Sequence, residues 1–128
     1  MQLRYAIVDD AAFLRELIKN LMKAEGHTCV GEADDGESAL SIVQATQPDF
    51  IFLDIVMPKR NGIEVARVLK ELTPDVKIIG CSTMDQESLI ADAKAAGFDA
   101  FVVKPFTKED IINTVQNLFA HLEETHHG

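Results

Sequence analysis

The chain has 128 residues, of which 47% are hydrophobic, and a formal net charge of -9. This length and apolar content fit one domain, spanning residues 1–128, whose core needs neither disulfides nor a structural metal. The acidic balance, with no cluster of Lys and Arg to oppose it, argues against direct nucleic acid binding. No apolar run approaches the roughly 20 residues that cross a bilayer, so we expect no membrane span.

The two cysteines, Cys29 and Cys81, lie inside apolar runs, and the sequence begins without the pattern of a signal peptide. Both features are typical of reduced packing residues. We therefore expect buried thiols and a cytoplasmic protein.

Short apolar runs alternate along the chain with longer segments of helical period. In chain order, the pattern predicts strand Arg4–Val8, a helix on apolar positions 13 to 22 that stops at Gly26, strand Thr28–Ala33, helix Glu37–Ala45, strand Phe50–Leu53, helix Ile63–Leu72, strand Lys77–Cys81, helix Gln86–Ala96, strand Ala100–Val103 and helix Lys108–Leu122. Such alternation indicates a parallel sheet with helices on both faces.

Capping residues mark the beginnings of the last two helices. Ser82 or Asp85 is a candidate N-cap for the fourth helix, and Thr107 with Asp110 predicts a capping box for the fifth. Right-handed crossovers then favour an α/β fold, a doubly wound five-stranded parallel sheet of order 2-1-3-4-5 with five helices. A site in this fold is expected beyond the carboxyl ends of the strands.

Polar side chains stand at four of those predicted strand ends. Asp9 and Asp10 follow the first strand and Asp54 the third, while Ser82 and Lys104 follow the fourth and fifth. These strands are neighbours in the expected order, so their ends converge. A single strand-end Asp is often just a helix or turn cap, but the coincidence of five such positions favours a common site.

Three carboxylates in one pocket repel one another unless a cation lies among them. Mg²⁺ suits such a site, because it is held by one or two protein carboxylates and keeps positions for water and phosphate oxygens. A carboxylate can also attack phosphorus to give an aspartyl phosphate, whose charge a metal and a lysine ammonium neutralise. The pattern therefore predicts a Mg²⁺-dependent phosphoacceptor with Lys104 as the ammonium.

The sequence resembles the receiver domains of bacterial two-component response regulators, and among them most the stand-alone chemotaxis regulators. The resemblance runs from Tyr5 to Leu122. It rests on Val8-Asp9-Asp10, Leu53-Asp54, Met57-Pro58, Asn61-Gly62, Ser82 and Val103-Lys104-Pro105-Phe106. It implies a flavodoxin-like fold and makes the chain a single receiver domain.

The resemblance also implies a role for each site residue. Asp54 would be the phosphoacceptor, and Lys104 would hold a phosphoryl oxygen. The peptide bond between Lys104 and Pro105 would be cis, which aims the lysine into the site. Asp10 would bind Mg²⁺ directly, Asp9 through water, and Val56 through its backbone carbonyl. Ser82 and Phe101 would be the switch pair that carries the signal outward.

Two features depart from the commonest pattern of the family. Thr83 stands where a small residue usually follows the switch hydroxyl, and Val56 and Met84 are apolar where some members are polar. We expect these apolar neighbours to hinder the attacking water and to make the phosphorylated form long-lived.

The implied function is a phosphorylation-activated switch rather than an enzyme with a separate substrate, although it would catalyse its own phosphotransfer and slow dephosphorylation. Its phosphodonor would be a sensor histidine kinase. Its target, expected to be a flagellar motor switch, would bind the face made by the fourth helix, fifth strand and fifth helix. A phosphatase is a further expected partner, and the protein is expected to be a monomer.

Two alternatives stay open from the sequence. One is the receiver of a larger regulator with a transcriptional or enzymatic output, and the other is a phosphorelay receiver. A Mg²⁺-dependent phosphohydrolase of similar architecture is disfavoured, because Ile55 and Val56 follow Asp54 where such enzymes need a second acid/base carboxylate.

Overall fold

The computed structural model describes residues 2–57, 61–83 and 87–120. Five strands alternate with five helices: β1 Arg4–Val8, α1 Ala12–Ala24, β2 Thr28–Ala33, α2 Gly36–Thr46, β3 Phe50–Asp54, α3 Gly62–Leu72, β4 Lys77–Thr83, α4 Glu87–Ala96, β5 Ala100–Lys104 and α5 Lys108–Leu118. The strands form one sheet of order β2-β1-β3-β4-β5, and every pair is parallel. The predicted fold class is confirmed.

The central strand β3 explains why the sheet is covered on both faces. All five of its residues are buried, and successive side chains of a strand point to opposite faces. Ile51 and Leu53 pack with residues of α2, α3 and α4. Phe50 and Phe52 pack instead with residues of α1 and α5. The two cores therefore hold the sheet between helical layers of three and two helices.

Two helices end in glycines that adopt the left-handed conformation. Gly26 has φ +88° and Gly97 has φ +117°. After α1, the His27 N–H donates to the Met22 carbonyl and the Gly26 N–H to the Lys23 carbonyl, which is the Schellman arrangement. The predicted stop at Gly26 is confirmed.

The predicted caps had different outcomes. Thr107 and Asp110 form the expected capping box at the start of α5. The assignment of Ser82 as an N-cap was wrong, because Ser82 lies within β4 and pairs with Val103 of β5. Asp85 and Gln86 lie outside the described residues.

Several boundaries differ from the sequence prediction. β3, β4 and β5 extend beyond the predicted ends to Asp54, Thr83 and Lys104, because polar residues continue the strand pairing there. Helix α5 ends at Leu118, earlier than the predicted end at Leu122, which lies outside the described residues.

Both cysteines are free thiols, but Cys29 is only half-buried, whereas the sequence predicted a buried residue. Burial raises the pKa of the Cys81 thiol to about 12. Among the residues that the structure describes, no helix has the length and apolar character needed to span a membrane.

Candidate phosphoacceptor and metal site

The sheet order brings the predicted site residues to one edge. Asp9 directly follows β1, Asp54 ends β3 and Lys104 ends β5. Because β1, β3, β4 and β5 are consecutive neighbours, their carboxyl ends meet although the residues are far apart in sequence. Register places Asp54 beside Cys81, and Thr83 beside Lys104.

Three carboxylates form a cluster at this edge. Asp9, Asp10 and Asp54 each offer an oxygen, and these oxygens lie within 4.8 Å of one another. Asp9 is 2% exposed and Asp54 6% exposed, whereas Asp10 is exposed to solvent. The cluster therefore combines two buried carboxylates with one that faces water.

Lys104 lies between the two buried carboxylates. Its Nζ donates to Asp9 Oδ2 at 3.0 Å and to Asp54 Oδ2 at 3.2 Å. Burial lowers the pKa of Lys104, but the hydrogen bond to Asp9 and the charges of Asp54 and Asp9 outweigh it, so the pKa is raised. The lysine is therefore a firmly held cation.

The second oxygen of each buried carboxylate is bound by the backbone. Asp9 Oδ1 accepts the Ala11 N–H at 2.8 Å, and Asp54 Oδ1 accepts the Val56 N–H at 3.1 Å. The pKa of Asp54 is raised, first by burial and then by the charge of Asp9, against the opposing effect of Lys104 and the Val56 N–H. Without a bound cation, the ionised form of Asp54 is therefore destabilised relative to the protonated form.

The charges of the cluster fit a divalent cation. Three carboxylates and one ammonium give the cluster a formal excess of two negative charges among oxygens that lie within 4.8 Å of one another. Oxygen donors of this kind are those that Mg²⁺ prefers. The residues present therefore fit Mg²⁺, for which Asp9, Asp10 and Asp54 would be the side-chain donors. Val56 lies beside them, because its N–H donates to Asp54.

A cavity of about 240 Å³ lies beside Asp54. It is lined by Asp54, Val56, Ser82, Thr83 and Lys104. Ser82 is 3% exposed, and its hydroxyl is buried without a hydrogen-bond partner among the described residues. An unpaired buried hydroxyl costs about 1–3 kcal/mol, so the Ser82 hydroxyl is a donor that would gain from any acceptor group entering the cavity.

The other predicted switch residue, Phe101, lies on β5 and is half-buried. Its ring stacks on Phe98 with centroids 5.6 Å apart. Both rings occupy space over Gly80, where an added Cβ would lie 2.7 Å from Phe98 and 3.0 Å from Phe101. The absence of a side chain at Gly80 therefore makes room for Phe101 on the sheet.

Phe101 also lines a groove of about 630 Å³ on the face built from α4, β5 and α5. The remaining contributors include Ile90, Val103, Pro105 and Asn113. The bond between Lys104 and Pro105 is cis, as the resemblance implied. The predicted reader face thus has a groove that includes the predicted switch residue.

The sequence reasoning missed Arg15. On α1, its guanidinium donates through Nη1 to the main-chain oxygen of Asp9 and through Nε to Glu32 Oε1 at 2.9 Å. The sequence did hold an indication that Arg15 needs a partner. Arg15 lies near the N-terminus of α1, and the first turn of that helix holds no acidic residue. A cation there opposes the helix dipole and so calls for another partner.

Comparisons with known proteins identify the family of the chain. The family profile described as "Response regulator receiver domain" matches residues 6–116. Chemotaxis protein CheY of Thermotoga maritima is 36% identical over 115 residues, covering 90% of this chain and 96% of that protein. Chemotaxis protein CheY of Bacillus subtilis is 38% identical over 112 residues, covering 88% of this chain and 93% of that protein.

A solved structure has the same fold. The CheX-CheY-BeF3-Mg+2 complex from Borrelia burgdorferi contains a chain that matches with a TM-score of 0.86 and 29% identity, covering 91% of this chain and 88% of that chain. The family match spans most of the sequence, and the curated relatives match along nearly their whole length. The chain therefore belongs to the family of response regulator receiver domains.

Proposed function

We propose that this receiver domain is a phosphorylation-activated switch that accepts a phosphoryl group from a histidine kinase onto Asp54 in the presence of Mg²⁺. The observation that carries the proposal is the position of Asp54, which reaches a 240 Å³ cavity while its carboxylate contacts Lys104. The family match and the carboxylate cluster support it.

Besides the phosphodonor, the chemistry needs only groups that the chain supplies and one bound cation. A carboxylate oxygen of Asp54 forms a bond to phosphorus as the bond between phosphorus and the donor nitrogen breaks, and the electron pair of that bond stays on the donor. Mg²⁺, when bound by Asp9, Asp10, Asp54 and the Val56 carbonyl, supplies positive charge to the phosphoryl oxygens. Lys104 binds another of those oxygens.

Transfer changes the electrostatics around Ser82. A phosphoryl group brings about -1.5 to -2 charge and three strong acceptor oxygens, and the Ser82 hydroxyl is the buried donor that lines the same cavity. Movement of Ser82 toward these oxygens would pull the end of β4 inward. Phe101, which packs on the same sheet, would then shift and alter the groove on the α4, β5 and α5 face.

The switch needs only a modest free energy. Moving an equilibrium from 1:99 to 99:1 takes about 5.5 kcal/mol, and hydrogen bonds to charged groups supply about 1.5–3 kcal/mol each. A few such bonds therefore give a partial shift, which partner binding completes. We propose that the domain acts in this way as a cytoplasmic monomer, without enzymatic action on a separate substrate and without contacting nucleic acid.

Labelling with a small-molecule phosphodonor tests the phosphoacceptor role. The purified protein is incubated with acetyl phosphate in the presence of Mg²⁺ or of a chelator, and its intact mass is measured. We expect the mass of one phosphoryl group to be added only with Mg²⁺, and no addition to the Asp54→Asn variant. Labelling that persists in this variant would refute the proposal.

The downstream role is proposed separately. The CheY proteins of Thermotoga maritima and Bacillus subtilis are named as chemotaxis proteins, and we propose that this chain also serves chemotaxis by binding a motor-switch protein on the α4, β5 and α5 face. A phosphatase is expected to end the signal. Spreading in soft agar by a Bacillus subtilis strain that lacks its own CheY tests this role, with the Asp54→Asn variant as the control.

The two outcomes are separable. Restored spreading that depends on Asp54 supports the chemotaxis role. A protein that is labelled by acetyl phosphate but restores no spreading would count against that role and leave the phosphoacceptor proposal standing.

A further inference from the structure

Arg15 joins three elements at the back of the carboxylate cluster. Its Nη1 donates to the main-chain oxygen of Asp9 at 2.5 Å, and its Nε pairs with Glu32 Oε1 of β2 at 2.9 Å. The Arg15 side chain is only 16% exposed. Helix α1, the end of β1 and strand β2 are therefore tied together by one guanidinium.

This contact fixes the backbone that carries the acidic pair. The Asp9 N–H donates to the Ala33 carbonyl at 3.1 Å, and the Asp9 carbonyl accepts from Arg15. Because a peptide unit is planar, holding the Asp9 oxygen also sets the orientation of the Asp10 N–H and Cα. The backbone on both sides of Asp9 is thus held by hydrogen bonds.

Asp10 depends on this support more than Asp9 does. The Asp9 carboxylate has its own partners in Ala11 and Lys104. Asp10 is exposed, and its carboxylate lies in the acidic cluster without a hydrogen bond to any other described residue. The place from which its side chain departs is therefore set by the peptide that Arg15 holds.

We infer that Arg15, oriented by Glu32, is a positioning residue that presents Asp9 and Asp10 for divalent cation binding. It acts through the Asp9 carbonyl and does not touch the cation. Residues that orient metal ligands typically change metal affinity by about 10–100-fold when they are removed. This inference rests on the proposed function, since it concerns the same cation site.

The sign of the effect separates positioning from charge. If Arg15 acted only as a nearby positive charge, its removal would relieve repulsion and tighten Mg²⁺ binding. Positioning has the opposite consequence, because an unsupported Asp9–Asp10 peptide must be ordered when the cation binds. Loss of the Arg15 contact should then weaken binding.

Lys19 offers a matched control. Its Nζ pairs with the other carboxylate oxygen of the same Glu32 and also with Glu16. Lys19→Met therefore removes one cationic partner of Glu32, as Arg15→Met does, but leaves the Asp9 carbonyl contact in place. The two variants differ in the contact on which the inference depends.

The test is calorimetric titration of the folded proteins with Mg²⁺ alone, without phosphodonor. We expect Arg15→Met to raise the Kd about tenfold, at the lower end of the usual range, and Lys19→Met to leave it nearly unchanged. Urea unfolding without Mg²⁺ reports any general loss of stability. Should Arg15→Met fail to fold, Arg15→Lys serves instead, because one ammonium cannot reproduce both guanidinium contacts.

The outcomes distinguish this inference from the proposed function. An unchanged or lowered Kd in the folded Arg15 variant, or an equal rise in Lys19→Met, would overturn the positioning role alone. A wild-type protein that binds no Mg²⁺, or binds it equally well after Asp10→Asn, would instead contradict the proposed cation site.

Discussion

At the scale of a single residue, the burial of the Asp54 carboxylate lowers the stability of the fold. This carboxylate is buried beside that of Asp9, and burial raises its pKa. A core residue of the same size would avoid this cost. In the proposed function this strain is useful, because a phosphoryl group and a cation would meet Lys104 and the neighbouring carboxylates already in place.

His27 gives the fold a defined dependence on pH. Its Nδ1 accepts the Leu3 N–H at 3.1 Å, and its ring lies edge-on to Phe50. Burial lowers the pKa of His27 below its ordinary value of 6.5. As the pH falls below 6.5, His27 in the unfolded chain binds a proton before His27 in the folded protein does. The free energy of unfolding therefore decreases as the pH falls from that value toward the lower pKa of the folded state.

We predict that His27→Asn weakens this dependence, because its amide oxygen can replace Nδ1 as the acceptor without titrating. Urea unfolding of both proteins between about pH 8 and pH 5 measures the effect, since an ordinary histidine titrates within that range. The wild type should lose more free energy of unfolding than the variant does. If the free energies of unfolding of the two proteins changed in parallel with pH, His27 would not be the source of the dependence.

Val56 tests the expected lifetime of the phosphorylated form. It is 56% exposed and lines the cavity together with Asp54 and Thr83, so it stands where water would approach. Met84 lies outside the described residues. We predict that Val56→Asn speeds hydrolysis severalfold by admitting and orienting water, measured as decay of the label after the donor is removed. An equally slow decay would contradict the idea.

At the scale of elements, the sequence predicted strand and helix order well but misplaced the strand ends that form the site. The hydropathy pattern ended the predicted β3 before Asp54 and the predicted β4 before Ser82. In the structure both residues are buried and paired with the neighbouring strand. Buried polar groups are unusual, and a hydropathy pattern reads them as loop. The error therefore fell on residues whose burial serves the proposed function.

Long-range contacts of the site were not predictable from spacing. The capping box of Thr107 and Asp110 was found because its partners are three residues apart. The pair of Arg15 with Glu32 spans 17 positions and joins α1 to β2. The place of Arg15 near the start of α1 indicated that it needs a partner, but no local pattern identified Glu32 or the Asp9 carbonyl as that partner.

Gly62 connects helix α3 to the end of strand β3. Its N–H donates to the Ile55 carbonyl at 2.8 Å. A Cβ added at Gly62 would lie 2.4 Å from the main-chain oxygen of Asp54 and 2.8 Å from the Ile55 Cα. These are backbone atoms that a side chain cannot simply push aside. A substitution there must move α3 or the end of β3.

We predict that Gly62→Ala lowers the free energy of unfolding by about 1–3 kcal/mol, as overpacking does, and also slows labelling of Asp54. Gly26→Ala is the control, because its added Cβ would meet nothing within 4 Å and its cost is backbone strain of about 1–2 kcal/mol. Urea unfolding and acetyl phosphate labelling compare the two. Equal labelling rates would show that Gly62 does not position the site.

At the scale of the whole molecule, the doubly wound topology gathers the site. Positions 9, 54 and 104 meet because β1, β3, β4 and β5 are adjacent and parallel. The crossover rules predicted this convergence from strand order alone. They could not predict which oxygens Lys104 contacts, since side-chain geometry depends on packing against every neighbouring element.

Binding of a cation should therefore stabilise the whole fold. At a free Mg²⁺ concentration ten times the Kd, we predict a gain of about 1.4 kcal/mol in the free energy of unfolding. Asp10→Asn should lose most of this gain, because it removes the exposed carboxylate of the cluster. Urea unfolding with Mg²⁺ and with a chelator measures both values. An equal gain in the variant would exclude Asp10 as a ligand.

The most direct test of the central claim is to locate the phosphoryl group on the chain. After labelling with acetyl phosphate and Mg²⁺, borohydride reduces an acyl phosphate to the corresponding alcohol, and peptide mass spectrometry identifies the altered position. The account predicts homoserine in place of Asp54 and no other change that depends on labelling. Reduction at a different aspartate, or a label that resists borohydride, would contradict it.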